Sequence, residues 1–357
     1  MTEPVSLLMA ASGTGGHLFP ALALAQQLPD YRIYWLGTPD RLEQKLVPQD
    51  YPLHTVAVGG FQGKPGLQTL KTAWGLLAAV FQIRRLLRQE KIQVVCTTGG
   101  YIAGPTILAA KSLGIPVVFH ESNFIPGKVA IWFGRWCYRV ALGFADSAGY
   151  LPGARTQWVG TPVRAQFYQP QPLDLDLDPQ RPLIVVVGGS QGALAVNQLV
   201  RSCVEAWVKA GAEIVHLTGT QDPAAETFRH PHYLSLPFYD NMAGLLQRAT
   251  LAVSRAGAGT LTELAVTATP ALLIPYPFAA EDHQTLNAQV FVQAGAALAF
   301  PQAELTPARL ERQVLDLLQS PERLETMAQQ AKTLAALDSA KRLAQIVREA
   351  VGKSMQS

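Results

Sequence analysis

One arrangement occurs twice in this chain and constrains its fold more than any other feature. A continuous apolar run at residues 5–11 (VSLLMAA) ends in a glycine turn at 12–16 (SGTGG) and passes into a helical pattern from His17 to Leu28. In the second half, residues 182–187 (PLIVVV) end in 188–193 (GGSQGA), and a helical pattern follows through Val208. A short run that is apolar without alternation reads as a strand buried on both faces. Repeated strand–turn–helix units imply a parallel sheet covered by helices on both sides. Further strands are expected at 32–36, 93–97, 116–120 and 139–142, then at 213–217, 251–253 and 271–274. The chain therefore reads as α/β, with two doubly wound, Rossmann-like halves rather than one larger sheet.

A length of 357 residues suits two domains of ordinary size. Residues 169–182 (QPQPLDLDLDPQRP) read as a linker or exposed edge loop. The expected division is 1–163 and 164–336. From about Leu305 the pattern is helical, and the last helix, about 337–357, is expected to pack back on the first domain.

With 48% apolar and 15% charged residues, a large core can form and disorder is not expected. The net charge of +3 fits an anionic substrate or an anionic lipid surface. It is too weak to indicate nucleic acid, and no nucleic-acid-binding motif is present. Cys96, Cys137 and Cys203 form no CxxC or metal spacing, so buried thiols in a reducing compartment are expected. The first residues lack a basic segment and read as a strand, not a signal peptide. No apolar run reaches the roughly 18 residues of a membrane span.

Glycine turns at the carboxyl ends of strands let helix N-termini present N–H groups to phosphate. Four occur here, at 13–16 (GTGG), 99–105 (GGYIAGP), 188–193 and 257–260 (GAGT). Each alone reflects turn geometry as readily as binding; two per half point to an anion site. A nicotinamide cofactor is disfavoured, because SGTGGH is not GxGxxG and the second strand ends Trp35-Leu36-Gly37 without the ribose-binding acid.

Several side chains carry two readings. Glu263 sits where a carboxylate can accept both ribose hydroxyls, yet Thr260 to Glu263 also spells a capping box. His17, beside a helix N-terminus that disfavours its protonated form, suits a general base; the alternative is a partly buried histidine bonded to the neighbouring strand. His54, His216, His230 and His232 show no partner pattern. Arg164 and Arg255 can each neutralise a diphosphate, or serve as ordinary surface cations. Residues 68–88 combine Trp74, Leu76, Leu77, Val80 and Phe81 with Lys71, Arg84, Arg85 and Arg88. That pattern suits a helix lying on an anionic membrane surface, or one packed on the sheet with a basic outer face.

Taken in order, GTGGH at 13–17, GGYIAGP at 99–105, HESNFIPG at 120–127, GTPVR at 160–164, GGSQGA at 188–193, RAGAGTLTE at 255–263 and DHQTLNA at 282–288 resemble the blocks of the MurG family over nearly the whole chain. The resemblance implies GT-B architecture, two Rossmann-like domains facing across a cleft. It implies inverting transfer of N-acetylglucosamine from UDP-GlcNAc to the C4 hydroxyl of the muramoyl sugar of lipid I, giving lipid II and UDP in peptidoglycan synthesis. It implies a peripheral enzyme on the cytoplasmic face of the bacterial inner membrane.

The resemblance also implies roles for individual residues. Ser190 would lie near the diphosphate, Tyr239, Ala258, Gly259, Thr260, Leu261 and Thr262 around uracil and phosphate, Glu263 on ribose and Gln284 on the donor sugar. Thr14, Gly15, Gly16, Asn123, Arg164 and Arg255 would complete the UDP-GlcNAc set. His17 would be the base, assisted by Arg164. Gly13, Gly15, Gly16, Gly99, Gly100 and Tyr101 would face the lipid diphosphate. On the pattern of residues 68–88 rather than the resemblance, Trp74, Leu77, Phe81, Arg84 and Arg85 would meet the membrane. No cofactor is required, and no DxD-like acidic pair stands at a strand end for a metal. The rival readings are a UDP-GlcNAc epimerase, a glycosyltransferase with another lipid or small-molecule acceptor, and a non-catalytic nucleotide-sugar-binding subunit.

Overall fold

The computed structural model describes residues 3–39, 42–58, 67–189 and 192–354; for 67–73 and 354 it describes the backbone alone. The chain divides into two compact units, 1–164 with 338–357, and 165–337.

The first unit holds β1 (Ser6–Ala11), α1 (Gly15–Ala25), β2 (Arg32–Gly37), α2 (Glu43–Leu46), β3 (Leu53–Thr55), α3 (Leu67–Gln89), β4 (Val94–Gly99), α4 (Ala103–Lys111), β5 (Val117–Glu121), α5 (Lys128–Phe133), β6 (Arg139–Leu142) and β7 (Thr156–Trp158). Its sheet is parallel throughout, in the order β3-β2-β1-β4-β5-β6-β7. Successive residues of β1 serve opposite faces, as strand geometry requires. Leu8 and Ala10 join a core with Ile83 and Leu87 of α3 and Ile107 of α4. Leu7, Met9 and Ala11 join a second core with Leu18 and Leu24 of α1.

The second unit holds β8 (Leu183–Val187), α6 (Leu194–Lys209), β9 (Glu213–Leu217), β10 (Tyr233–Leu236), α7 (Met242–Arg248), β11 (Leu251–Ser254), α8 (Ala258–Val266), β12 (Ala271–Leu273), α9 (His283–Gln293), β13 (Ala297–Ala299), α10 (Pro307–Leu318) and α11 (Pro321–Thr333). Its strands are also all parallel, in the order β10-β9-β8-β11-β12-β13. Ile184 and Val186 pack with Val200, Val204 and Trp207 of α6 and with Leu310, Val314 and Leu317 of α10. The last helix, α12 (Ser339–Ser354), belongs to the first unit. Its Leu343, Ile346, Val347 and Ala350 follow helical spacing and enter the α1 side of the first core. Arg348 adds a two-pronged ion pair with Asp30, at 2.6 and 2.7 Å.

The strands expected from apolar runs are present within two residues of their expected ends. The four that the sequence reading did not anticipate, β3, β7, β10 and β13, are the four sheet edges, each three or four residues long. An edge strand is buried on fewer sides and needs no long apolar run, so its local signal is weak. The three cysteines are buried. Burial raises the Cys137 and Cys203 thiols to about 12 and raises Cys96 as well, which leaves them unreactive.

Candidate active site

In each sheet the strand order reverses at one point, between β1 and β4 in the first and between β8 and β11 in the second. Open α/β sheets bind ligands at the carboxyl ends of the strands flanking that point. The four glycine turns are the segments that leave those four strand ends.

At the first point the two turns interlock. Trp35, buried in β2, donates its indole N–H to Ala11 O (3.2 Å) and anchors the end of β1. The pairing of β1 with β4 slips there, with Ala10 opposite Thr97 but Ala11 opposite Gly99. Thr97 Oγ1 donates to Ala10 O (2.7 Å) and holds this irregularity. Gly99 and Gly100 then take left-handed φ values of 108° and 85°. A Cβ on Gly100 would stand 2.6 Å from Ser12 O, and one on Gly99 would stand 3.0 Å from the His17 ring. Only glycine lets the second turn close over the first.

His17 lies in this crevice, and its tautomer follows from one contact. Nδ1 is 3.2 Å from Ser12 O, a carbonyl that can only accept, so Nδ1 is the donor and, in the neutral imidazole, Nε2 carries the lone pair. Thr98 Oγ1 donates to His17 O (2.8 Å) and fixes the first turn of α1 from the β4 side. His17 and Leu18 donate their amides to Thr14 O (3.0 and 3.2 Å), whereas Gly15 and Gly16 open the helix, where amides have no helical partner. Thr14, the residue before α1, makes no side-chain cap.

The surrounding residues are set by the same strand ends. Arg164 is half-buried, with its guanidinium over the Phe19 ring (4.4 Å), and Phe19 itself lies against Gly15. Glu121, at the end of β5, accepts from Gly127 N (2.9 Å), Asn123 N (3.0 Å) and Asn123 Nδ2 (3.2 Å), and so shapes the loop that presents Asn123. His120 is fully buried and donates to Gly160 O (2.9 Å); burial lowers it to about 4, so it stays neutral at pH 7. Tyr101 is half exposed.

At the second point Gly189 and Gly192 take φ values of 90° and 76°, and a Cβ on Gly192 would stand 2.2 Å from Thr218 O. Thr218 O is held in turn by Asn197 Nδ2 (2.9 Å), which also donates to Asp222 (2.7 Å). Asp222 accepts two hydrogen bonds from Arg201, at 2.7 and 3.1 Å. Asn197 Oδ1 accepts from His216 Nε2 (3.0 Å), and His216 Nδ1 accepts from the Tyr233 hydroxyl (2.9 Å). Burial lowers His216 to about 3, so this network keeps one polarity over the working pH range. Ser190 and Gln191, in the same turn, lie outside the described residues.

The other turn of this unit is read from α9. Gln284 Oε1 accepts from Ala256 N (3.1 Å) and Tyr276 N (3.0 Å), which directs the amide's N–H side away from the backbone. Asn287, one helical turn on, donates to Ala256 O (3.2 Å). Helix α8 begins at Ala258 after Gly257, and no side chain caps it. The capping-box reading of Thr260 and Glu263 is therefore not realised, since both lie inside the helix. Glu263 is half-buried.

Several expectations change. Arg255 is buried and donates to Ile274 O (3.0 Å), Pro275 O (3.1 Å) and Gln302 Oε1 (2.6 Å), so it braces the ends of β11 and β12 instead of reaching a diphosphate. Leu261 is fully buried and its amide bonds Gly257 O (3.0 Å), which leaves it no atom for a nucleotide. The Tyr239 hydroxyl donates to Asp174 of the linker. Gly13 N donates to Glu43 Oε2 (3.3 Å) and is spent within the protein. On α3, Trp74, Leu77 and Phe81 are 72%, 52% and 67% exposed, while Ala79, Ile83, Leu86 and Leu87 face the core. Arg84 donates to Ser112, so Arg85 and Arg88 are the outward cations there.

Glu43, Glu121, Asn197 and Asn287 were not singled out from the sequence. Asn287 shares a helix face with Gln284, a spacing that was legible. Asn197 is recognisable only through partners distant in sequence, and Glu43 reaches Gly13 thirty residues away, whereas Glu121 bonds the loop that directly follows its own strand. Among the described residues, no cluster of three or more His, Cys, Asp or Glu side chains is placed to hold a metal ion.

Two family models match in tandem, the glycosyltransferase family 28 N-terminal domain over 7–142 and its C-terminal domain over 183–343. The chain is 68% identical over 354 residues to a UDP-N-acetylglucosamine–N-acetylmuramyl-(pentapeptide) pyrophosphoryl-undecaprenol N-acetylglucosamine transferase of Synechocystis sp., covering 99% of this chain and 100% of that protein. It is 60% identical to the protein of the same name from Nostoc punctiforme, over 98% of each. The crystal structure of MurG from Acinetobacter baumannii matches with a TM-score of 0.78 at 31% identity, over 97% of this chain and 100% of that one. The chain belongs to the MurG family. Its two parallel-sheet units are those of the GT-B architecture, and it is a glycosyltransferase. The calicheamicin glycosyltransferase CalG4, at 15% identity and a TM-score of 0.70, shares the fold alone.

Proposed function

We propose that this MurG-family enzyme moves N-acetylglucosamine from UDP-GlcNAc to the C4 hydroxyl of the muramoyl sugar of lipid I, giving lipid II and UDP. The observation that carries the reading is the fixed orientation of His17, whose Nδ1 is committed to Ser12 O and whose Nε2 is therefore the basic nitrogen. The names of the relatives supply the substrates. Nε2 takes the C4 hydroxyl proton as that oxygen attacks C1 of the donor sugar. The bond from C1 to the diphosphate oxygen breaks, its electron pair leaves with UDP, and the anomeric centre inverts. General-base catalysis of this kind contributes about 10²–10⁴-fold.

The remaining groups divide by charge. Amides at the starts of α6 and α8 meet the nucleotide diphosphate, Glu263 meets ribose and Gln284 the donor sugar. Arg164 supplies a fixed cation for the developing charge. The Gly15 and Gly16 amides take the acceptor diphosphate. Trp74, Leu77 and Phe81 enter the headgroup region of the cytoplasmic leaflet, with Arg85 and Arg88 on anionic lipid. Among the described residues no helix is long and apolar enough to cross a membrane.

The experiment is transfer of labelled sugar from UDP-GlcNAc to lipid I in anionic vesicles, with a soluble acceptor analogue in parallel. Labelled lipid II is expected, and the Trp74→Ser/Phe81→Ser variant should lose the vesicle reaction while keeping the soluble one. Release of an epimer from UDP-GlcNAc without transfer would replace this reading with the epimerase.

A further inference from the structure

The second strand ends without an acid, yet the fold delivers one there. Glu43, from α2, is fully buried at the end of β2. Its Oε1 accepts from Thr38 N (2.8 Å) and Thr38 Oγ1 (2.9 Å), and its Oε2 accepts from Gly13 N (3.3 Å). A Cβ on Gly37 would stand 2.6 Å from Glu43 Cγ, so β2 must end in glycine for this carboxylate to lie across it. In a dinucleotide site an acid at this strand end reaches outward to ribose. Here it is turned inward onto the glycine turn and cannot reach a ligand.

We propose that Glu43 is a positioning residue for the acceptor, resting on the reading that the first turn takes the acceptor's diphosphate. By holding the Gly13 amide, it fixes the turn that carries the amides of Gly15 and Gly16, next to His17. That clasp registers the diphosphate at the start of α1, where the sugar hydroxyl it carries can be presented to Nε2 of His17.

The test uses Glu43→Gln in the full-length enzyme. A glutamine oxygen can still accept from both Thr38 donors, but its NH₂ group faces the Gly13 N–H, so only the clasp on the turn is lost. The acceptor KM should rise about tenfold, the scale of one hydrogen bond to a charged group. UDP affinity by calorimetry should not change, and Tm should stay within about 3 °C. Thr38→Val, which removes a donor from the same carboxylate and leaves the clasp, should keep the wild-type acceptor KM. An unchanged acceptor KM in Glu43→Gln, or a lowered Tm with donor and acceptor KM rising together, overturns the proposal. The underlying reading has its own probe. A methyl at Gly16 meets only Thr14 Oγ1, at an ordinary 3.6 Å, so Gly16→Ala keeps the fold while crowding the turn. If Gly16→Ala leaves the acceptor KM unchanged, the diphosphate does not lie on this turn, and both fall.

Discussion

At the end of β1 the chain places an imidazole between two interlocked glycine turns. At the end of β8, the same topological position in the other unit, the third helical residue is Val196, buried in the core, where α1 has His17. The polar groups of the second unit instead face inward and brace the turns: Asn197 and Asp222 behind one, and Arg255, Gln284 and Asn287 behind the other. The difference teaches that the doubly wound sheet supplies a pair of glycine turns at its switch point for geometric reasons alone. One copy adds an imidazole, together with the glycine that makes room for it. A nucleotide needs a rigid cradle of amides; an alcohol that must be deprotonated needs a base of defined tautomer.

Substitutions can break that division. The largest effect is expected from His17→Ala, which should lower kcat by about 10²–10⁴-fold while UDP affinity, measured by calorimetry, is retained. Unchanged turnover would mean that the first unit holds no base. Gly99→Ala comes next. Its φ of 108° suits glycine, and the new methyl would lie 3.0 Å from the imidazole. A displacement of His17 on the ångström scale should reduce kcat by about 10²-fold, again without altering UDP binding. Weaker donor binding in this variant would erase the proposed separation of roles. The smallest of the three effects belongs to the second unit. Glu263→Ala should reduce UDP affinity by roughly ten- to a hundredfold, as for hydrogen bonds to a charged group. Its Tm should stay within about 3 °C, because Glu263 caps no helix. A large fall in Tm with intact UDP affinity would instead make Glu263 a structural residue.

The legible and illegible parts of the site differ in the range of the forces involved. His17 was readable because its position follows from a strand, a turn and the first turn of a helix, all within a dozen residues. Arg255 was misread because its neighbours in sequence are the glycine turn, while its hydrogen-bond partners are at 274, 275 and 302. Glu263 carried two equal readings until the helix start at Ala258 removed one. The aromatic residues of α3 were visible as a pattern, but the face they occupy depends on which side of the helix the sheet covers.

The amino-acid sequence by itself determined the parallel α/β class, the doubling of the unit, the central strands and the four turns, because a strand buried on both faces must be apolar throughout and must leave through glycine. Only the tertiary structure decided the edge strands, the tautomer of His17, the inward turn of Arg255 and the clasp of Glu43 on Gly13. Those depend on partners brought together by the sheet, and a hydrogen bond between distant residues leaves no periodic trace in either segment.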